Sequence, residues 1–429
     1  MKKSFRLNRN MLVLILLAIS PVMKAQFTLS GEYRPRAEYR HGFKTMVSEN
    51  DKAAFQISQR TRLHAGFTYQ TLKFGLTLQD IRLWGETPQL TAVSNRFMLH
   101  QAWAEWAFAK NLSLKMGRQE LVYDDARIFG NVDWAQQARA HDLVLFKYEK
   151  GIKLHMGLAF NQQFDQLLTT NYDLTSNYKS LQFIWLNKKF NKLSVSALFL
   201  NNGMEMKYAE EGVDKFRTMY SQTFGTHLNY KADKLGLYAN AYYTTGKDIT
   251  DRKLGAYNLM LGADYALDKK WSIGAGVEVL SGTSQKEKMD NPSYVNKSFN
   301  PFYGTNHKFN GLMDYFYVGN HLNSVGLNDI FAQIGYKKQK TSIQLSAHFF
   351  SANQDIYEFK PSGSNLMSSG LGTELDFTIA YKINDIAGIS AGYSQIFGTE
   401  SLQVLKSGDY KQTNNWAWLM FTFKPIFIH

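Results

Sequence analysis

Cysteine is missing from the 429-residue sequence, and proline is scarce at seven residues. Without cysteine the chain has no disulfide, no thiolate metal site and no cysteine nucleophile. After the first 25 residues, no apolar run reaches the roughly eighteen residues of a membrane-spanning helix, so helical membrane spans are excluded. Acidic residues are outnumbered by basic ones, 36 to 49, and the formal net charge of +13 favours anionic partners.

The N-terminal segment has the order of a secretory signal. Basic residues precede the apolar run 11–19, and Ala25 offers a small residue for cleavage before Gln26. The apolar run is too short to span a membrane as a helix. We therefore predict a cleaved signal peptide over 1–25 and a single domain over 26–429. Export argues against nucleic acid as a partner.

The rest of the chain alternates between apolar and polar residues. Aromatic residues make up 14% of the sequence, yet the mean hydropathy is −0.34. One segment shows the pattern clearly, with one face formed by Ile343, Leu345, Ala347 and Phe349, and the other by Ser342, Gln344, Ser346 and His348. Such strands have one lipid-compatible face and one wet face, as in a transmembrane barrel with a polar lumen.

About eighteen such strands can be marked, and the lengths of their connections alternate. Short turns separate strand pairs, and long segments follow at 120–140, 161–177, 202–220, 282–327 and 351–370. This asymmetry is typical of outer-membrane barrels, which have short periplasmic turns and long extracellular loops. We predict an all-β, antiparallel transmembrane barrel of about eighteen strands, with both termini in the periplasm and a water-filled lumen.

Arginine is concentrated in the first third of the chain. Of the twelve arginines after residue 25, ten lie between Arg34 and Arg139. The alternation directs Arg34 and Arg36, and likewise Arg60 and Arg62, into the lumen, because an arginine facing lipid at the midplane costs roughly 2–4 kcal/mol. Guanidinium groups there would form a positive wall suited to carboxylates and phosphates.

A second interpretation of these arginines stays open. They can instead form ordinary salt bridges inside the lumen, with the partners Glu32, Glu38, Asp80, Glu105 and Asp124. Both interpretations can hold together, with some arginines paired and others left for a solute.

A motif from Gly117 to Gly130, GRQELVYDDARIFG, resembles the signature region of the alginate-export family of outer-membrane barrels. The stretches 59–63 and 300–309 are similar as well. The resemblance implies an eighteen-stranded monomer that carries an anionic polysaccharide through an arginine-lined constriction. Matched by position, the residues of that lining are Arg60, Arg62, Arg118 and Arg127; the alternation and the distribution of arginine add Arg34, Arg36, Arg82 and Arg139. Arg118 has the parity of apolar Leu114, so it is lumenal only if a bulge or the strand end intervenes.

Three carboxylates in the segment 120–140 invite other interpretations. Glu120, Asp124 and Asp125 suggest a glycosidase pair or a calcium site. They lie near Arg118 and Arg127, so ion pairing with these arginines is the expectation. We assign no catalytic residue, no metal ligand and no cofactor.

Aromatic residues crowd the longest predicted loop, 282–327, which holds seven of them within nineteen residues. They either pack as an ordered cap or enter the barrel mouth, where rings can stack on sugars. Four tryptophans are predicted to lie at the membrane interface: Trp103, Trp106, Trp416 and Trp418.

The function predicted from the sequence is passive, anion-preferring transport across the bacterial outer membrane, as export of an acidic, alginate-like polysaccharide or oligosaccharide. The alternative is a general porin, or an outer-membrane enzyme or adhesin that acts through its extracellular loops. The expected partners are the acidic saccharide, outer-membrane lipid and periplasmic export proteins. The sequence leaves open the solute, the direction of transport and those proteins.

Overall fold

The structure is a computed structural model that describes residues 25–91, 96–171, 173, 177–316, 319–361 and 363–429. The predicted signal peptide lies, apart from residue 25, outside these residues and stays a prediction, as does the division into domains. No helix within the described ranges is long and apolar enough to cross a membrane.

Twenty-one strands and two short helices form the described chain. The strands are β1 Ala25–His41, β2 Ala54–Tyr69, β3 Leu72–Leu83, β4 Phe97–Ala109, β5 Leu112–Gln119, β6 His141–Lys150, β7 Ile152–Phe160, β8 Ser180–Phe190, β9 Leu193–Glu210, β10 Val213–Ala232, β11 Leu235–Lys247, β12 Lys253–Ala266, β13 Trp271–Leu280, β14 Leu327–Lys338, β15 Thr341–Ser351, β16 Tyr357–Lys360, β17 Gly363–Leu366, β18 Gly370–Lys382, β19 Ala387–Gly398, β20 Asn414–Phe423 and β21 Ile426–Ile428. The helices are α1 Gln285–Asp290 and α2 Glu400–Lys406, and a 3₁₀ turn spans Asn306–Lys308.

Eighteen of the strands close into one antiparallel barrel. Each pairs with the next along the chain, and β1 pairs with β2 on one side and with β20 on the other. The short β21 continues the seam along β1, while β16 and β17 form a separate hairpin. Closure pairs the backbone groups that a sheet edge would leave bare in the hydrocarbon. The predicted eighteen-stranded barrel is confirmed.

Short turns and long loops alternate as predicted. Eight connections of one to four residues lie at the end of the barrel that also carries both described chain ends. Asn111, Asn191 and Asp233 adopt positive φ in these turns, as tight hairpins require. The prediction for 202–220 is wrong, because these residues continue β9 and β10 as a long hairpin whose strands are joined at 211–212.

The alternation sorts side chains between lipid and lumen. Phe67 and Leu345 are 42% and 46% exposed on the outward face, while Ser346 and Arg60 are buried on the inward face. Because side chains alternate along a strand, a register slip of one residue would turn this whole set around.

Two long loops, 120–140 and 281–326, fold into the lumen. Phe129 of the first stacks on Tyr303 of the second, with 5.9 Å between ring centroids. Met313 and Tyr315 are fully buried in the same cluster. The described aromatic residues of the longer loop therefore pack as an ordered plug inside the barrel rather than extend into water.

Candidate functional site

Three arginines meet where β1 and β2 run side by side. The register sets Arg34 directly opposite Arg60, and Glu32 opposite Arg62. The Glu32 carboxylate accepts a hydrogen bond from Arg60 Nε at 2.6 Å. All three guanidinium-bearing side chains are at most 5% exposed. We call Arg34, Arg60 and Arg62 the arginine cluster.

The tip of loop 120–140 lies on the arginine cluster. The Asp133 carboxylate accepts hydrogen bonds from Arg60 Nη2, at 2.8 Å, and from Arg34 Nη1, at 3.2 Å. It also lies 3.8 Å from Arg62 Nη1. Gln136 accepts a further hydrogen bond from Arg34. Burial opposes ionisation of Asp133, but the charges of Arg60 and Arg34 outweigh it and hold the pKa of Asp133 below its usual value. At this position the arginines therefore form salt bridges inside the lumen, which is the second of the two interpretations left open by the sequence.

Arg36 belongs to an aromatic cluster beside this contact. Its guanidinium lies 4.0 Å from the ring centroid of Trp134 and bonds to Glu38 at 2.9 Å. Trp134 in turn packs edge-on against Trp416 and Trp418. The membrane-interface prediction is wrong for Trp416, which is fully buried, and for Trp418, which is 9% exposed, because both face the lumen.

Two predicted pore-lining arginines occupy outward positions in their strands. Arg82 is paired in the sheet with Gln59, opposite in parity to Arg60, and its guanidinium bonds to Asp80. Arg118 keeps the parity of the apolar residues of β5 and bonds to Asp142 at 2.7 Å. The strand register runs through both positions without a bulge that would turn them inward. The predicted lumen position is therefore corrected for Arg118, whereas Arg82 also lines the cavity that contains Arg36 and Arg139.

Arg127 and Arg139 do lie inside, within loop 120–140. Arg127 is 1% exposed and forms a salt bridge with Glu278 of β13, with 2.5 Å between Nη2 and Oε1. It also bonds to Asn310, at 3.0 Å. Arg139 donates to the backbone oxygen of Gly304 at 3.1 Å. Both residues tie the two loops together.

The three carboxylates near Arg127 have separate partners. Glu120 bonds to His100 at 2.7 Å, Asp124 accepts from Trp185 Nε1 at 3.1 Å, and Asp125 accepts from Asn240 at 2.6 Å. The expected ion pairs with Arg118 and Arg127 are therefore not formed by these groups. Among the described residues, no cluster of three or more histidine, aspartate or glutamate side chains could hold a metal ion.

A cavity of about 540 Å³ is lined by the second half of loop 120–140. We call it the vestibule. Trp134 and His307 contribute aromatic surface to it. Its charged lining includes the basic residues Arg36, Arg40, Lys44, Arg82, Arg96 and Arg139 and the acidic residues Glu38, Glu86 and Asp314. Basic side chains therefore outnumber carboxylates in the vestibule.

A second cavity, of about 570 Å³, has the opposite balance. We call it the acidic chamber. Its carboxylates are Asp125, Asp264, Glu278, Asp329 and Asp376, beside one lysine, Lys308. Sequence reasoning missed this chamber, although Glu278, Asp329 and Asp376 fall on inward positions of β13, β14 and β18. Carboxylates repeated at inward positions of nearby strands were the sequence signal that could have predicted the acidic chamber.

The 3₁₀ turn of loop 281–326 lies between the two cavities. His307 lines the vestibule, and the next residue, Lys308, lines the acidic chamber. The turn is held to the acidic wall by Asn310, which donates to Glu278 at 2.8 Å and to Asp329 at 3.2 Å. The backbone N–H of Met313 donates to Glu374 at 2.7 Å. Loop 120–140 is thus bound to the arginine cluster, and loop 281–326 is bound to inward carboxylates of the barrel strands.

Comparison with solved structures shows the same fold. The chain is similar to Pseudomonas aeruginosa OccK9 (OpdG), with a TM-score of 0.62, 12% identity, and coverage of 94% of this chain and 98% of that one. It is similar to OccK8 (OprE) of the same organism, with a TM-score of 0.59, 12% identity, and coverage of 94% and 99%. OpdK of that organism, solved with vanillate, has a TM-score of 0.58, 10% identity, and coverage of 93% and 99%.

No curated protein matches this sequence. The resemblance to alginate-export barrels is supported only as far as a porin-type barrel. A family model described as Gram-negative porin matches residues 12–291, more than half of the chain. This barrel therefore belongs to the Gram-negative porin family of bacterial outer-membrane channels.

Proposed function

We propose that this porin is an anion-preferring channel for passive export of an acidic oligosaccharide or polysaccharide, alginate-like in its chemistry. The vestibule carries the proposal, because its basic side chains outnumber its carboxylates. Periplasmic export proteins and outer-membrane lipid are its proposed partners, and the proposed unit is a monomer.

Electrostatics favour anions in the vestibule. Salt screens charges beyond roughly 8 Å at physiological ionic strength, but a solute inside a cavity of this size is closer than that to its walls. Positive side chains that ring a pore raise the local concentration of anions. Four basic side chains of the vestibule are partly exposed: Lys44 at 44%, Arg82 at 39%, Arg96 at 34% and Arg40 at 32%.

Sugar recognition would use the aromatic surface. Trp134 is half-buried, with Arg36 over its ring. His307 also stacks on this indole, with 4.7 Å between ring centroids, so a sugar would contact the part of the indole that stays exposed while a guanidinium binds the sugar carboxylate. The vestibule has the volume of a small-molecule site, so it would hold a short segment of an acidic saccharide. A long polymer would need loops 120–140 and 281–326 to move aside.

The test is the reversal potential of single channels in a potassium chloride gradient. We expect the wild type to carry more chloride than potassium, and acidic oligosaccharides of increasing length to block that current. The variant Arg40→Gln/Arg96→Gln should lower the preference for chloride, because two partly exposed positive charges leave the vestibule.

Arg118→Gln is the matched control, since Arg118 carries the same charge, has an accessible side chain and lies on the outer face. It should keep the wild-type reversal potential. A wild type that prefers potassium would refute the proposal and would indicate that the acidic chamber controls selectivity.

A second candidate solute is a small aromatic acid. The solved OpdK structure contains vanillate, and the vestibule combines arginines with an indole ring that would suit an aromatic carboxylate equally. Block of the chloride current by vanillate, without block by acidic oligosaccharides, would favour this candidate.

A further inference from the structure

Asp133 occupies the arginine cluster in the manner of a bound carboxylate ligand. Its two oxygens take different arginines, Oδ1 at 2.8 Å from Arg60 Nη2 and Oδ2 at 3.2 Å from Arg34 Nη1. Guanidinium groups bind a free carboxylate with the same charge-assisted geometry.

The two carboxylates at the cluster differ in how they are held. Glu32 belongs to β1, is 5% exposed and bonds to Arg60 at 2.5 Å, so it is part of the wall. Asp133 belongs to a loop, and its side chain is 47% exposed. Solvent therefore reaches Asp133, while the arginines behind it are almost fully covered.

Charge at the cluster leaves room for an anion. Three guanidinium groups face two carboxylates, and the buried Nη2 of Arg62 has no hydrogen-bond partner among the described residues. If the loop lifted, three buried cations would face Glu32 alone. Buried charge without a partner is costly, so departure of Asp133 requires another anion to take its position.

We propose that the arginine cluster is a carboxylate-binding site, that Asp133 fills it as an internal ligand, and that a solute carboxylate displaces Asp133 during transport. This inference deepens the proposed function and rests on it for the class of solute. It makes loop 120–140 a latch that the solute itself opens.

The experiment uses the full-length porin in planar bilayers with trigalacturonate as the probe. In Asp133→Asn the loop keeps its shape but presents no charge to the arginines. The concentration of trigalacturonate that blocks half of the current should then be about tenfold lower than for the wild type. A tenfold change corresponds to the free energy of one charge-assisted hydrogen bond, which the arginines no longer make to residue 133. Asp133→Glu keeps the carboxylate and should behave as the wild type.

Asp165→Asn is the matched control, because it removes one loop carboxylate that is exposed and not part of the cluster. It should leave the half-blocking concentration unchanged. If Asp133→Asn also leaves it unchanged while the wild type prefers chloride, the latch is refuted and the proposed function stands. A channel that prefers potassium but gains affinity in Asp133→Asn would refute the proposed function and keep the site.

Hydrogen exchange on the wild type tests the same proposal without a variant. Loop 120–140 is held against loop 281–326 by hydrogen bonds from the backbone N–H of Gly130 to the Tyr303 oxygen, at 2.9 Å, and from the backbone N–H of Val132 to Thr305 Oγ1, at 3.1 Å. Saturating trigalacturonate should accelerate exchange of these two donor amides, because the loop lifts. Unchanged or slower exchange with bound probe would overturn the displacement.

Discussion

Arg127 and Glu278 join a loop inside the lumen to the barrel wall, with 2.5 Å between Nη2 and Oε1. Arg127 lies in loop 120–140, and Glu278 lies on β13. Both side chains are at most 2% exposed, so the pair is held away from water. This contact connects the loop that binds the arginine cluster to the strands that carry the acidic chamber.

Arg127→Met should destabilise the porin, because it leaves Glu278 buried without its cation. Breaking a buried pair from one side costs about 3 kcal/mol or more. Urea unfolding of the refolded barrel in detergent micelles measures the change. The double variant Arg127→Met/Glu278→Gln removes both charges and should recover most of the loss. Equal destabilisation of the single and double variants would contradict this account.

Gly304→Ala should separate the two lumen loops. A Cβ at Gly304 would lie 2.2 Å from the backbone oxygen of Arg127, where no side chain can shift to make room. Overpacking of this kind costs about 1–3 kcal/mol. We expect noisier single-channel currents and faster proteolysis within 120–140. Gly255→Ala is the control, since its nearest neighbour is a Val295 side-chain atom at 3.4 Å. If both variants behave as the wild type, the close approach at Gly304 does not hold the loops together.

Replacing residues 290–320 by a short glycine-serine linker should raise single-channel conductance. This segment contains the 3₁₀ turn between the two cavities and the buried Met313 and Tyr315. The barrel should still form, because its eighteen strands lie outside the deletion. Heat-modifiable migration on a gel checks folding. Unchanged conductance of a folded variant would mean that the loop does not obstruct the channel.

The loop 399–413 should dock more strongly at alkaline pH. Lys406 donates to the backbone oxygen of Asn320, and burial lowers the pKa of Lys406 to about 7. The docked state therefore binds fewer protons than the undocked state, whose lysine has its ordinary pKa of 10.5. Docking strengthens as pH rises from about 7 to 10.5 and is weakest below 7.

Hydrogen exchange of the amides of α2, measured at pH 6 and pH 9 and corrected for intrinsic rates, checks this prediction. Lys406→Met keeps the apolar stem and should remove the pH dependence. Protection that is equal at both pH values in the wild type would show that Lys406 does not titrate in this range.

The eighteen strands and the inward position of Arg34, Arg36, Arg60 and Arg62 were predictable from sequence. Both follow from the two-residue period of a strand, which is a local property. The same period places Arg82 and Arg118 at outward positions, although Arg82 still lines the vestibule. The prediction failed for Arg118, where it gave more weight to a family motif than to parity.

The sequence by itself determined the membrane barrel, because alternation leaves each strand with one face for lipid and one for water, and closure follows from the need to pair the backbone. Only the tertiary structure decided which charges meet. Asp133 follows Arg60 by 73 positions, and Glu278 follows Arg127 by 151, and no local pattern relates residues so far apart. The loops bring them together inside the lumen, where pairing removes the cost of buried charge. That long-range pairing decides that the arginine cluster is covered by Asp133 rather than left bare.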